Sequence, residues 1–509
     1  APESAQRLYI RLLTRKGSVF RLSRLRYAEI RNLQEAAGEL AKRGLADISA
    51  PADPRALLAA FTKPELFELL DAAGARSRPR AQLIEDILQD DVVQRHIAAL
   101  QEADSWVTLF GHQHWNVFRL GFFGNLYQDS SEFVLQELGT VRYESYRLDK
   151  DARAFASREQ LDAHMRYFEC EALFETVNHR QPEQLLALIR QLPPMIDNDD
   201  HLQRRIDRYR NRVARQLERL GRQVEALELY SQSLHPPARE RRIRLHLKQG
   251  EQELAGRLLA ALQEKPFNDA ESQVGERLQK QLQKRDGKKS RTVPRFKPQT
   301  TILTLSDSTG RVELAARQFY ARFGECCYTE NALCNSVLGL FIWDIIFHPV
   351  PGAFFNPFQS APADFRQPSF ATRRAALLMA RFEELDTPTI FRQRVADAYT
   401  RHQGKSNPLV RWGRVDQKLL MLALDRIPAE HWRVIFQRIL SDTRENTSGF
   451  PDLVLFREEG GYEFIEIKGP GDTLQQNQLR WMQCFDRARI PCRVVNVRWA
   501  QHTDATSET

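Results

Sequence analysis

Gly449-Phe450-Pro451-Asp452-Leu453-Val454-Leu455-Phe456, followed by Phe464-Ile465-Glu466-Ile467-Lys468-Gly469-Pro470, is the stretch on which the reading of this chain turns. Pro451 can open a strand but cannot sit inside a central one, and Leu453–Phe456 is a short apolar run of the buried kind. Residues two apart on a strand share a face, so Glu466 and Lys468 project together while Ile465 and Ile467 face the other way. Gly469-Pro470-Gly471 must be a turn, and Asp472 or Thr473 is placed to cap a following helix with Leu479, Met482 and Phe485 along one side. Pro491 ends that helix, and Arg493–Val497 reads as a further strand. A solvated Glu–Lys pair on a surface strand would need none of this context. Two carboxylates and an amine on adjoining strands suit hydrolysis of a phosphodiester, the acids holding a divalent cation and the amine orienting water.

The string "PDLVLF…FIEIKGPGDTLQQNQLRWM" resembles the VRR-NUC branch of the PD-(D/E)xK nucleases, and more narrowly the Fanconi-associated nuclease family. Tyr328–Phe347, "YTENALCNSVLGLFIWDIIF", is similar to a family helix with a glutamate near its start and an ending like Leu-Trp-Asp-Ile-Ile-Phe. Tyr143–Leu161 carries a weaker similarity. The resemblance implies that Asp452 and Glu466 are metal ligands and Lys468 the water-positioning amine, with the Ile467 carbonyl and a Glu330 carboxylate from the helix completing a site for Mg²⁺ or Mn²⁺. It implies that Gln478 supports that site. Phe456 stands where the family often has Trp, a packing position. Also implied are branched or 5′-flap DNA as substrate, 5′-to-3′ exonuclease action, products with 5′-phosphates and a role in interstrand crosslink repair. A Holliday junction resolvase-like nuclease is the enzymatic alternative. A non-catalytic helical DNA-binding scaffold is the other, against which the intact Asp452, Glu466 and Lys468 argue.

The chain has 509 residues and a formal net charge of +8, a balance that suits a polyanionic partner. Its 6 cysteines include no paired Cys-x-x-Cys of structural zinc type, so buried thiols in a reducing compartment are expected. The longest apolar stretch, Val337–Phe347, contains Asp344 and is too short to span a bilayer. No secretory signal is visible, so a cytoplasmic, nucleoid-associated bacterial protein is expected, or a nuclear one if eukaryotic. The alanine start implies processing or trimming. No cysteine precedes Cys170, so the ubiquitin-binding zinc finger of animal family members has no material here.

The expected architecture is multidomain: mainly α, with a C-terminal α/β restriction-endonuclease-like nuclease domain. The segment 1–60 is basic, with a helical pattern over Leu8–Arg43 whose arginines either face phosphate or form a solvated amphipathic face. In 61–104, two short helices joined by a basic loop resemble a SAP module, with Lys63, Arg78 and Arg80 as DNA-binding candidates. Residues 105–165 are expected to be a DNA-binding and connecting region, with aromatics (Trp106, Phe110, Trp115, Phe118, Phe122, Phe123, Tyr127) suited to core packing or, less so, to base stacking. His112 and His114 lack a third ligand. In 166–283, Leu220-Gly221-x4-Ala226-x3-Tyr230 and Gly250-x4-Ala255 resemble a degenerate tetratricopeptide repeat, although any antiparallel helix array would use small residues so. A basic linker (284–299), the nuclease domain (300–499) and a polar tail (500–509) complete the chain.

Overall fold

A computed structural model of the chain describes all residues except 16, 71–77, 79, 90–96, 103, 130, 149–152, 286–295, 307–309 and 501–509. Most of the expected basic linker, most of the SAP-like loop and nearly all of the tail therefore lie outside the described residues. The fold is mostly helical with a C-terminal mixed sheet, and it divides into two compact units. Among the described residues no helix is long and apolar enough to cross a membrane.

The first unit comprises 1–132 and 154–278. The helical pattern expected over Leu8–Arg43 is interrupted: helices Glu3–Leu13 and Leu33–Ala41 flank strand β1, Val19–Arg21. Pairing explains the difference. β1 and β2 (Ala46–Asp47) both bond antiparallel to β3, Trp106–Leu109, which gives the order β1-β3-β2 and buries Phe20, Ala46, Val107 and Leu109 under the two helices. The arginines here are largely engaged, Arg11 with Glu29 and Arg21 with both Glu65 and Asp104.

Between β2 and β3 lie helices Lys63–Leu70 and Arg80–Gln89, whose Leu66, Leu83, Ile84 and Ile87 pack with Phe61 and Trp106. Trp106 and Phe123 are buried as core residues, whereas Phe118 and Tyr127 are 69% and 72% exposed. Further on, helices Asp200–Arg219, Gln223–Ser231, Ala238–Gln249 and Gln252–Glu264 pack each against the next across short turns. Ala226, Tyr230 and Ala255 are fully buried between them.

The second unit comprises 133–153 and 279–509, so the expected connecting region 105–165 is shared between the two. Its sheet has the order β4-β8-β7-β6-β5, from β4 (Thr300–Leu305), β5 (Gly324–Tyr328), β6 (Leu453–Arg457), β7 (Tyr462–Lys468) and β8 (Cys492–Trp499). β4, β8 and β7 are parallel, and β6 runs antiparallel to both its neighbours. Alternation splits β7 as its sequence dictates. Ile465 and Ile467 pack with Ala316 and Tyr320 of helix Val312–Tyr320, while Tyr462 and Phe464 pack with Trp481 and Phe485 of helix Gln476–Arg487. Helix Leu333–Phe341 is buried along its whole length. Residues 133–153 fasten onto this unit: Glu144 accepts from Trp343 Nε1 (2.8 Å) and Lys405 Nζ (2.9 Å), and Tyr146 Oη donates to the Asn356 carbonyl (2.6 Å). Two segments singled out separately in the sequence thus meet at Glu144 and Trp343.

Candidate active site

The approach to Asp452 is set by Gly449, at φ +91°, where an added Cβ would lie 2.9 Å from the backbone of Asn477. Trp481 Nε1 donates to the Ser448 carbonyl (3.0 Å) and fixes this loop against the downstream helix. At the mouth of β6, Asp452 Oδ2 accepts from the Ile467 amide (2.9 Å), which turns the carboxylate toward β7. Glu466 has 0% exposure and Lys468 9%. Lys468 Nζ sits 2.8 Å from Glu466 Oε1.

Gln478 joins the two. Its Nε2 donates to Glu466 Oε1 (2.6 Å), and its Oε1 accepts from Lys468 Nζ (3.1 Å) and from the Gln475 amide (2.9 Å). The helix begins at Gln476, with Gln475 as its N-cap and not the expected Asp472 or Thr473. Asp472 instead closes the turn, accepting from the Gly469 amide (3.0 Å), which leaves room for Gln478 to reach the strand.

Glu330 lies in the turn before helix Leu333–Phe341, not on the helix itself, at φ +32°. A non-glycine residue there carries backbone strain that its surroundings must hold. They do: the Thr329 and Glu330 amides both donate to the Asp452 carbonyl (2.8 and 3.0 Å), and Tyr328 Oη donates to Glu330 Oε2 (2.7 Å). Asn331 donates to Glu330 Oε1 (3.3 Å) and accepts from the Phe450 amide (3.2 Å). The pairing of β5 with β6 thus brings Glu330 beside Asp452 across more than a hundred residues of sequence.

Burial pushes Glu466 up to about 7, helped by the Asp452 charge and opposed by Lys468. Burial likewise pushes Asp452 up to about 6, with Glu313 and Glu330 raising it and the Ile467 hydrogen bond and Lys468 lowering it. Sequence reading passed over Glu313, in the first turn of helix Val312–Tyr320, and Tyr328 and Asn331. Glu313 belongs to no local motif, and only the packing of its helix on the sheet brings its charge near Asp452.

Among the described residues no three Asp, Glu, His or Cys side chains already form a metal-binding group. The donor set nevertheless fits a hard divalent cation. Glu466 Oε2 is buried without any hydrogen-bond partner, and an orphaned carboxylate oxygen beside a second acid is what a cation would satisfy. Asp452, Glu466, Glu330 and the Ile467 carbonyl are all-oxygen candidates for such an ion.

A stability prediction follows from the two raised acids. The folded, metal-free protein holds protons more tightly than the unfolded chain, whose ordinary values are 4.5 for Glu and 3.8 for Asp. Their contribution is therefore fully present below about pH 4 and is lost as pH rises through 6 to 7. Glu466→Gln should raise the metal-free Tm relative to wild type at pH 8, by roughly 1 kcal/mol or more in stability, with the gap closing near pH 5. Differential scanning fluorimetry across pH tests this; a gap independent of pH would contradict it.

In the first unit, Arg78 pairs with Asp86 (2.6 Å). Arg80 donates to the Phe61 carbonyl (2.9 Å) and to that of Ala59, and Lys63 Nζ lies 5.5 Å from the centre of the Phe67 ring.

A mixed sheet with its acids and amine at one strand end defines a nuclease domain, and comparison with known proteins agrees. Residues 386–499 match the VRR-NUC domain, and residues 1–47 match the family described as "FAN1, HTH domain". The chain is 36% identical to the Fanconi-associated nuclease 1 homolog of Pseudomonas aeruginosa, over 99% of this chain and 90% of that protein. It is 25% identical to the homolog of Arabidopsis thaliana, over 97% of this chain and 63% of that one. The crystal structure of paFAN1 bound to 2-nucleotide 5′-flap DNA with a gap is similar at a TM-score of 0.86 and 34% identity, covering 98% of this chain and 92% of that one. The chain belongs to the Fanconi-associated nuclease family and is a DNA nuclease, a hydrolase of a generally metal-dependent kind.

Proposed function

We propose that this nuclease is structure-selective, cutting 5′-flap and other branched DNA near a 5′ end, trimming in the 5′-to-3′ direction, and acting in interstrand crosslink repair at the bacterial nucleoid. The observation that carries this reading is the cluster of half-buried Asp452 with buried Glu466 and Lys468, in a chain similar over nearly its whole length to a nuclease crystallised on 5′-flap DNA. Asp452, Glu466, Glu330 and the Ile467 carbonyl would hold Mg²⁺ or Mn²⁺, which when bound would supply an activated water and offset the charge developing on phosphate. Lys468 orients the attacking water, and Glu466 and Gln478 fix its amine in place. Water attacks phosphorus, the P–O3′ bond breaks, and the products are a 3′-hydroxyl and a 5′-phosphate.

Lys63, Arg78 and Arg80 contact backbone phosphate. Arg80 would do so with a guanidinium that also donates to the Phe61 carbonyl. The experiment is cleavage mapping on a 5′-phosphorylated flap and a four-way junction, each with Mg²⁺, Mn²⁺ or EDTA. Cuts close to the flap's 5′ end, absent in EDTA, are expected. Symmetric cutting confined to the junction would favour resolvase activity, and no cutting with either metal would reduce the domain to a scaffold.

A further inference from the structure

Arg414 lies in the loop before helix Gln417–Arg426 and is exposed. Its guanidinium carbon sits 5.7 Å from the centre of the Tyr328 ring, and Tyr328 is the residue whose hydroxyl holds Glu330. Several neighbouring cations are committed elsewhere. Lys418 pairs with Glu325 (2.9 Å), Arg457 and Arg493 share Glu463 (2.8 and 3.2 Å), and Arg317 donates to the Cys326 carbonyl (3.1 Å). Arg414 forms no ion pair with any described carboxylate, although Glu330, Glu313 and Asp452 are the acids that act on Tyr328 beneath it.

The loop is rigid at the points that aim this side chain. Trp412 Nε1 donates to the Lys405 carbonyl (2.7 Å), the Arg411 amide donates to Ser336 Oγ (3.0 Å), Val415 is buried, and Asp416 caps the following helix through the Leu419 amide (2.8 Å). A guanidinium held against an aromatic face keeps its donors outward at little entropic cost, and its fork matches two phosphate oxygens.

From this we infer that Arg414 is a substrate-gripping residue of the nuclease, binding a DNA backbone phosphate that flanks the scissile one. An acid-rich centre repels an approaching polyanion, and a preorganised cation at its rim offsets that repulsion where the strand enters. The inference rests on the nuclease reading of the Asp452 site, and its test is arranged to separate the two.

The test compares wild type, Arg414→Ala and Arg414→Lys on a 5′-phosphorylated flap. Cleavage is followed with Mn²⁺, and binding is measured in EDTA over a series of salt concentrations. Arg414→Ala should lower kcat/KM by roughly tenfold to a hundredfold and reduce the slope of log K against log salt by about 0.9, one phosphate contact. Its Tm should match wild type because the side chain is exposed, and Arg414→Lys should regain the salt slope but only part of the rate. An Arg414→Ala slope and kcat/KM equal to wild type would overturn the inference. If wild type itself fails to cut, the nuclease reading falls, while the salt slope still decides the phosphate contact.

Discussion

Asp452→Ala is expected to lower kcat on a 5′-flap by roughly 10³-fold or more, about 4 kcal/mol of transition-state stabilisation, while leaving DNA affinity near wild type. One oxygen of the half-buried carboxylate is held by the Ile467 amide, so on the proposed mechanism its loss would take away a cation ligand and not a phosphate contact. The backbone of residue 452 keeps its carbonyl for the Thr329 and Glu330 amides, so the strained Glu330 turn survives the substitution. The folded protein gives up one hydrogen bond, worth about 1 kcal/mol, but also sheds a half-buried acid whose pKa burial raises. Asp452→Asn separates the terms, because it can retain a hydrogen bond from Ile467 and should still be inactive. Cleavage at the wild-type rate by the alanine variant in Mn²⁺, measured at saturating DNA, would remove Asp452 from the site.

The second large effect is on stability. Arg374→Ala should destabilise the second unit by about 3–5 kcal/mol, since removing one partner of a buried pair strands the other charge. Arg374 is 1% exposed and donates to both oxygens of Asp364 (2.9 and 3.2 Å) and to the Ile345 and Phe370 carbonyls (both 3.2 Å). Asp364, equally buried, would keep the partly exposed Arg373 at 3.0 Å. At about 2–4 °C per kcal/mol for a unit of this size, the expected fall in Tm is on the order of 10 °C. Lysine cannot reproduce the planar fork and should not rescue. Arg374→Met combined with Asp364→Leu should recover part of the loss by removing both charges. A Tm within about a degree of wild type for the alanine variant would show that this pair does not hold the unit together.

The core of the nuclease fold was legible because its signals are local. Period-two alternation placed Glu466 and Lys468 on one face, and the strands and helix expected between Leu453 and Val497 all form, with ends shifted by a few residues. The helix cap moved from Asp472 or Thr473 to Gln475 because Asp472 serves the Gly469 turn, a choice between two hydrogen bonds that sequence leaves open. The N-terminal helical pattern gives way to strand at Val19–Arg21 for a non-local reason. β1 exists because Trp106–Leu109 returns to pair with it, after an inserted helical segment.

The chemistry-bearing strands can be read from residue order alone, because side-chain alternation and turn residues act within a few positions. The sequence also carried the family resemblance that drew Glu330 into the candidate site. How these groups meet depends on the folded packing. The pairing of β5 with β6 sets Glu330 on the Asp452 carbonyl, the packing of helix Val312–Tyr320 brings Glu313 into range, and the anchored loop lays Arg414 over Tyr328. Each of these joins residues far apart in sequence, and hydrogen bonds and charges act through space, which local patterns do not encode.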